Sequence, residues 1–179
     1  VDGYADLKEA ICQKFKRDNG LDYKPSQVVV STGAKQSIAN LCMVLLDPGD
    51  EVLLPAPYWV SYSAIATLAE AKSIIIPSSI ETDFKITPEQ LEAAITPKTK
   101  LIMFNSPNNP SGTIYTEEEY RALAKVLEKH PQIYILSDEI YEHINYGIKS
   151  FSFAAIENMF DRTITVNGLA KAFAMTGWR

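Results

Sequence analysis

Short apolar runs alternate with helical patterns along the whole chain, and this alternation limits the fold more than any other feature. The runs are Val28-Val29-Val30, residues 51–54, Ile74-Ile75-Ile76, residues 101–104, residues 133–136 and residues 163–166. They are short, continuous and rich in β-branched residues, as buried strands are. Between them lie helical patterns. Residues 5–17 carry Leu7, Ile11 and Phe15 four apart and stop at Asn19-Gly20; a second stripe runs through Ile38, Leu41, Cys42 and Leu45 to the turn at residues 47–50. Residues 58–68 read as a third helix. Thr87-Pro88-Glu89-Gln90 opens a helix to about Ile95, and the capping box at residues 116–119 opens another to about His130. Strands that are apolar on both faces belong to parallel sheets covered by helices on both sides. The expected fold is therefore α/β: a mostly parallel sheet in an α/β/α sandwich.

Composition removes several classes of function. The 179 residues are 46% hydrophobic and 22% charged with a net charge of −5, which argues against nucleic acid or an anionic membrane as the main partner. The basic run at residues 14–17 reads as a solvated helix face. Cys12 and Cys42 lie on apolar helical stretches and read as reduced core residues. His130 and His143 show no metal-ligand spacing, so no metal is expected. There is no apolar stretch of transmembrane length. No signal peptide is visible, and the chain opens on Val1, leaving open a targeting segment upstream.

In parallel α/β sheets ligands sit at the carboxyl ends of the strands, so the residues that follow the strands carry the information. Ser31-Thr32-Gly33-Ala34-Lys35 leads into a helix, whose free N–H groups suit a phosphate, although many α/β turns hold one glycine and bind nothing. Aromatics fill residues 55–62, Pro-Ala-Pro-Tyr-Trp-Val-Ser-Tyr, which could stack on a flat ring or simply anchor the loop. Residues 105–112, Asn-Ser-Pro-Asn-Asn-Pro-Ser-Gly, form a rigid amide-rich turn whose X–Pro bonds are candidates for the cis isomer. Ser137-Asp138-Glu139-Ile140-Tyr141 places a carboxylate at the end of an apolar strand, which is costly unless a cation meets it. Glu139 is expected to turn to another partner or to solvent. Lys171 follows the last strand among small residues, a setting that suits burial and a reactive amine.

Taken together, these segments resemble the class I aminotransferases of the aspartate aminotransferase family, fold type I of the pyridoxal-5′-phosphate (PLP) enzymes. The resemblance spans essentially the whole chain and is strongest at Pro57-Tyr58-Trp59, residues 106–112, residues 137–141 and the run NGLAKAFAMTGWR at residues 167–179. It implies that Lys171 forms the internal aldimine with PLP and later acts as general base and acid. By the same resemblance Asp138 pairs with the pyridine nitrogen, Asn109 and Tyr141 donate to the ring O3′, and Trp59 stacks on the ring. Gly33, Ala34, Lys35 and Arg179 hold the phosphate. The implied reaction moves an amino group from an amino acid, aspartate first, to a 2-oxo acid, 2-oxoglutarate first. Trp59 and Asn109 are also expected to touch the substrate.

The chain departs from the family's better-known branch at Gly168 and Ala170, where that branch has serines. This puts a hydroxyl contact to phosphate in doubt. A bacterial branch of aspartate aminotransferases is similar here, and in it a lysine in the turn matching Lys35 is implicated in binding the distal carboxylate of acidic substrates. The resemblance further implies a cytoplasmic homodimer of roughly 400 residues per chain. Residues 1–179 would be part of the PLP-binding large domain, with an N-terminal arm and a C-terminal small domain outside them, and would be inactive alone. Other class I activities remain open (aromatic, prephenate, alanine or kynurenine). So do a PLP-sensing transcription regulator, which an upstream DNA-binding domain would reveal, and a catalytically silent scaffold.

Overall fold

The computed structural model describes residues 2–178. Five strands form one wholly parallel sheet: β1 (Glu51–Pro55), β2 (Lys72–Ile76), β3 (Thr99–Asn105), β4 (Tyr134–Asp138) and β5 (Thr163–Val166). Their spatial order is β2-β1-β3-β4-β5. The chain steps outward from β1 to β2 and then returns to the other side of β1 to make β3. That reversal opens a crevice beyond the carboxyl ends of the strands, where a ligand can enter.

Helices cover both faces, as the apolar strands require. Successive strand side chains point to opposite sides. Val52, Leu54, Leu101, Met103 and Leu136 pack with Ile38 and Cys42 of α2 (Ala34–Leu45) and with Tyr62, Ile65 and Ala66 of α3 (Ser61–Leu68). Leu53, Ile102, Phe104 and Ile135 pack on the opposite face with Leu91 of α4 (Pro88–Ala94) and with Tyr120, Leu123 and Leu127 of α5 (Glu117–Leu127). Both expected capping boxes form: Thr87 Oγ1 accepts from the Gln90 N–H at 3.3 Å, and Thr116 Oγ1 from the Glu119 N–H at 3.2 Å. Helix α1 (Ala5–Asn19) lies apart from these layers. Phe15 is its inward anchor, packed with Leu21 and Ala154, and Gly20 ends it in the left-handed conformation at φ 71°. The last helix, α6 (Leu169–Ala172), is a single turn.

Several expectations need correction. Val28-Val29-Val30 forms no strand. The segment joins none of the five strands, Val29 is 69% exposed, and the Val30 N–H donates to the Asp2 carbonyl at 2.9 Å. β-Branched residues favour extended backbone, but a strand also needs a neighbour. Ile74-Ile75-Ile76 is a strand at the sheet edge, so Ile75 is 54% exposed while Ile76 is buried. Residues 58–60 precede α3 rather than belong to it. The basic run is not wholly solvated. Lys16 and Arg17 are exposed, but Lys14 is half-buried and its amine bonds Glu142. Cys42 is buried, Cys12 half-buried, and both are free. No helix among the described residues is long and apolar enough to cross a membrane.

Candidate active site

The carboxyl ends of β3 and β4, the first turns of α2 and α3, and α6 converge on a cavity of about 230 Å³. Ala34, Lys35, Trp59, Asn109, Asp138, Tyr141 and Lys171, all expected site residues, line it. Gly33 stands one residue before the lining, as the N-cap of α2, at φ 89°, a conformation that glycine adopts without strain. Arg179, the remaining expected site residue, lies outside the described residues. The 105–112 turn that carries Asn109 contains two cis X–Pro bonds, Ser106–Pro107 and Asn109–Pro110; Ala56–Pro57 is also cis.

Asp138 forms the floor. It is 3% exposed at the end of a central strand, and burial pushes its carboxyl up to about 6, against the opposing pull of hydrogen bonds from the Tyr62 hydroxyl and the Ile140 N–H. Those bonds measure 2.6 Å to Oδ2 and 3.2 Å to Oδ1. Among the described residues its hydrogen-bond donors are all neutral. A buried carboxylate of this kind favours a cation in the adjoining cavity. Glu139 turns the other way. It accepts from the Ser137 and Ser152 hydroxyls at 2.9 and 2.7 Å, and burial raises it to about 7.

The side walls are polar on one side and aromatic on the other. Asn109 Nδ2 donates to the Tyr141 hydroxyl at 3.4 Å, so the two groups lie side by side. Trp59 is half-buried and meets Tyr62 edge-on, with ring centroids 5.5 Å apart. The Lys35 amine lies 4.9 Å from the centre of the Trp59 ring, within cation–π range. Lys171 is exposed rather than buried. It stands on the one-turn α6, where it lines the cavity beside Ala170.

Four lining residues, Tyr62, Asn105, Ile140 and Ala170, escaped sequence reasoning as site residues, and the first two make side-chain hydrogen bonds to Asp138. Tyr62 lies in the first turn of α3, and its N–H donates to the carbonyl of Trp59, just before the helix, at 2.9 Å; both side chains line the cavity. Asn105 ends β3. Its amide donates to the Asp138 carbonyl at 2.9 Å, and its Oδ1 accepts from the Asn109 N–H at 2.8 Å. The signal for Asn105 was its position, a polar residue closing an apolar strand. Away from the cavity, Asp18, Glu142 and His143 bring possible metal-ligand atoms within 4.8 Å of one another, but Asp18 already pairs with Arg17, and Glu142 with Lys14 and Asn167.

A parallel sheet that presents a buried carboxylate, an amide–phenol pair and an amine to one crevice is the frame of an α/β enzyme domain. The whole chain, residues 1–179, matches the family described as aminotransferase class I and II, and the protein belongs to that family. It is 54% identical to an aspartate/prephenate aminotransferase of Cereibacter sphaeroides (strain ATCC 17029 / ATH 2.4.9), covering 100% of this chain and 45% of that one. The crystal structure of the aspartate aminotransferase from Rhizobium meliloti superimposes with a TM-score of 0.98 at 49% identity, over 100% of this chain and 45% of that one. The aspartate aminotransferase from Thermus thermophilus with maleate gives a TM-score of 0.95 at 45% identity, over 99% of this chain and 46% of that one. The chain thus spans under half the length of these relatives.

Proposed function

We propose that the whole protein is a PLP-dependent aminotransferase. It moves an amino group between an acidic amino acid, aspartate first, and a 2-oxo acid, 2-oxoglutarate first. The observation that carries this reading is Asp138, a buried carboxylate whose donors among the described residues are all neutral, facing the same cavity as the Lys171 amine. A protonated pyridine nitrogen is the cation such a carboxylate favours. The cavity residues fit the rest of the cofactor by donor type. Asn109 and Tyr141 offer adjacent donors to a ring oxygen, Trp59 offers an aromatic face, and the Ala34 and Lys35 N–H groups at the start of α2 suit a phosphate. By family resemblance Arg179 adds a guanidinium there.

When bound, PLP supplies an electron-withdrawing ring that stabilises negative charge on the substrate Cα. Asp138 holds the proton on the ring nitrogen. Tyr62 and the Ile140 N–H fix the orientation of that carboxylate. The Lys171 amine would hold the cofactor and would serve as the base and acid that moves a proton at the substrate Cα. Lys35, beside Trp59 at the mouth, is placed to meet a second carboxylate on the substrate; Trp59 and Asn109 complete the substrate's surroundings. Prephenate, which appears in the name of the Cereibacter sphaeroides relative, is a second acidic acceptor to assay beside 2-oxoglutarate.

The chain reads as the cofactor-binding large domain of a longer cytoplasmic enzyme that works as a homodimer. An N-terminal arm and a small domain would lie outside residues 1–179. Family kinship supports this, as do the exposed Met43 and Val44 on α2. Full-length protein is expected to be yellow, and borohydride is expected to fix the cofactor to the peptide that contains Lys171. A label on any other peptide overturns the reading.

A further inference from the structure

Glu142 is a buried carboxylate that the chemistry above does not use. Its side chain is 8% exposed, and it follows Tyr141 directly. Three side-chain donors from distant parts of the chain converge on it. The Lys14 amine and the Asn167 amide both donate to Oε2, and the Asn19 amide donates to Oε1 at 3.1 Å. Lys14 and Asn19 are themselves joined, Nζ to Oδ1, at 2.9 Å. Both belong to the C-terminal part of α1, whereas Asn167 is the first residue after β5. The Oδ1 of Asn167 accepts from the Gly168 N–H at 2.7 Å.

The neighbouring residues brace the same turn. His143 packs edge-on against Phe173, with centroids 5.5 Å apart. A Cβ added to Gly168 would lie 3.1 Å from Ile140 Cδ1, so this turn sits close against the 138–143 segment. Glu142 and His143 therefore hold the chain four residues before Lys171 and two residues after it. These anchors matter because α6 has only four residues, and so short a helix does not maintain its own direction.

We propose that Glu142 is a positioning residue for Lys171, acting through Asn167, and that it ties the placement of the amine to α1. The proposal rests on the reading of Lys171 as the cofactor-holding residue. The test uses full-length holoenzyme and its apo form with two variants, Glu142→Gln and Asn167→Ala. The readouts are the pH midpoint of the lysine-bound cofactor's absorbance, the rate at which apo-protein takes up PLP, and kcat and KM separately. Both variants are expected to move the midpoint in the same direction. Both should lower kcat and the uptake rate about tenfold or more while KM changes less than about threefold, because a small misplacement of a reacting group is costly. The double variant should be no worse than the more affected single one, since the two residues act in series.

An unchanged midpoint with uptake within about twofold of wild type overturns the proposal, even if thermal stability falls, because a purely structural role moves only the latter. Additive losses would put the two residues on separate routes and overturn the link through Asn167. Asn167 is half-buried on a loop, so its variant carries the test if Glu142→Gln does not fold. Borohydride labelling of wild-type protein separates the two readings. A label away from Lys171 removes both, whereas a label on Lys171 with unaffected variants removes only this one.

Discussion

The Tyr62 hydroxyl donates to Asp138 across 2.6 Å, joining the first turn of α3 to the end of β4. Burial and the neighbouring carboxylate push the phenol well above its ordinary range, so it remains a donor throughout the physiological pH range. A hydrogen bond to a charged group contributes about 1.5–3 kcal/mol. Tyr62→Phe in the full-length enzyme should therefore raise the Asp138 pKa in the apo form and lower kcat/KM about ten- to a hundredfold. NMR titration of the carboxyl and steady-state kinetics provide the check. Unchanged values in both would reduce the contact to packing.

Asp138 and Glu139 should each withdraw stability from the apo-protein as pH rises from about 4 to about 7. Asp138 moves from 3.8 up to about 6 on folding, and Glu139 from 4.5 up to about 7, both mainly through burial. In that window these two groups bind more protons in the folded state than in the unfolded state, so their contribution to stability falls with rising pH. Asp138→Asn should remove its share, leaving the apo variant about 2–3 kcal/mol more stable than wild type at pH 8 and close to it at pH 4. Carboxylates such as half-buried Asp18 and exposed Glu92, held low by ion pairs, act in the opposite sense, and the paired comparison cancels them. Urea denaturation of full-length apo-protein at each pH measures the difference. A parallel pH profile in the variant would refute the assignment. Turnover should fall on the order of a thousandfold or more in the same variant, because the ring loses the partner that keeps it protonated.

Lys35→Ala addresses substrate choice. If the amine beside Trp59 meets a distal carboxylate, kcat/KM for aspartate and glutamate should fall about ten- to a hundredfold. Alanine and aromatic amino acids should be almost unaffected. Equal losses for every amino acid would assign Lys35 to the phosphate or the fold instead.

Arg162 supports the end of α5. Its guanidinium donates to the Leu127 carbonyl at 2.7 Å, to His130 at 2.8 Å and to Ile133 at 3.3 Å. Leu127 ends α5, His130 lies in the turn after it and Ile133 directly precedes β4, so the guanidinium ties the helix end to the start of the strand. Arg162→Ala should lower the unfolding free energy by about 2–3 kcal/mol, as charged hydrogen bonds contribute, with kcat and KM little changed in the folded fraction. A loss under about 0.5 kcal/mol would mean that water replaces the guanidinium at no cost.

The sheet was legible because burial on both faces writes itself into a strand as an unbroken apolar run, as in residues 101–104 and 133–136. Capping boxes at Thr87 and Thr116 are local chemistry and were equally readable. Val28-Val29-Val30 misled because local preference sets backbone extension but says nothing about whether a neighbouring strand is within reach. Asp138, Asn109 and Lys171 line one cavity, since each ends or follows a strand. Tyr62 and Asn105 were not assigned because their importance lies in contacts to Asp138, from 33 to 76 residues away in the chain. The exposure of Lys171 was missed for a similar reason. Small neighbours indicate space around a side chain without indicating whether anything fills it.

Asn105 ties β3 to β4 and to the Asn109 loop with a single side chain, so the floor of the cavity is wired into the central strands. Lys35 and Trp59 belong to the beginnings of outer elements and contact each other across the mouth. Substitutions at the mouth therefore leave the wiring of the floor intact. Under the proposed function, a lineage built on this frame changes which acid it admits by altering positions near residues 35 and 59 while the Asn105–Asp138–Asn109 floor stays in place. Variation at the mouth and constancy of the floor can then be inherited side by side, and the mouth is the natural place to start redesigning this protein toward a new substrate.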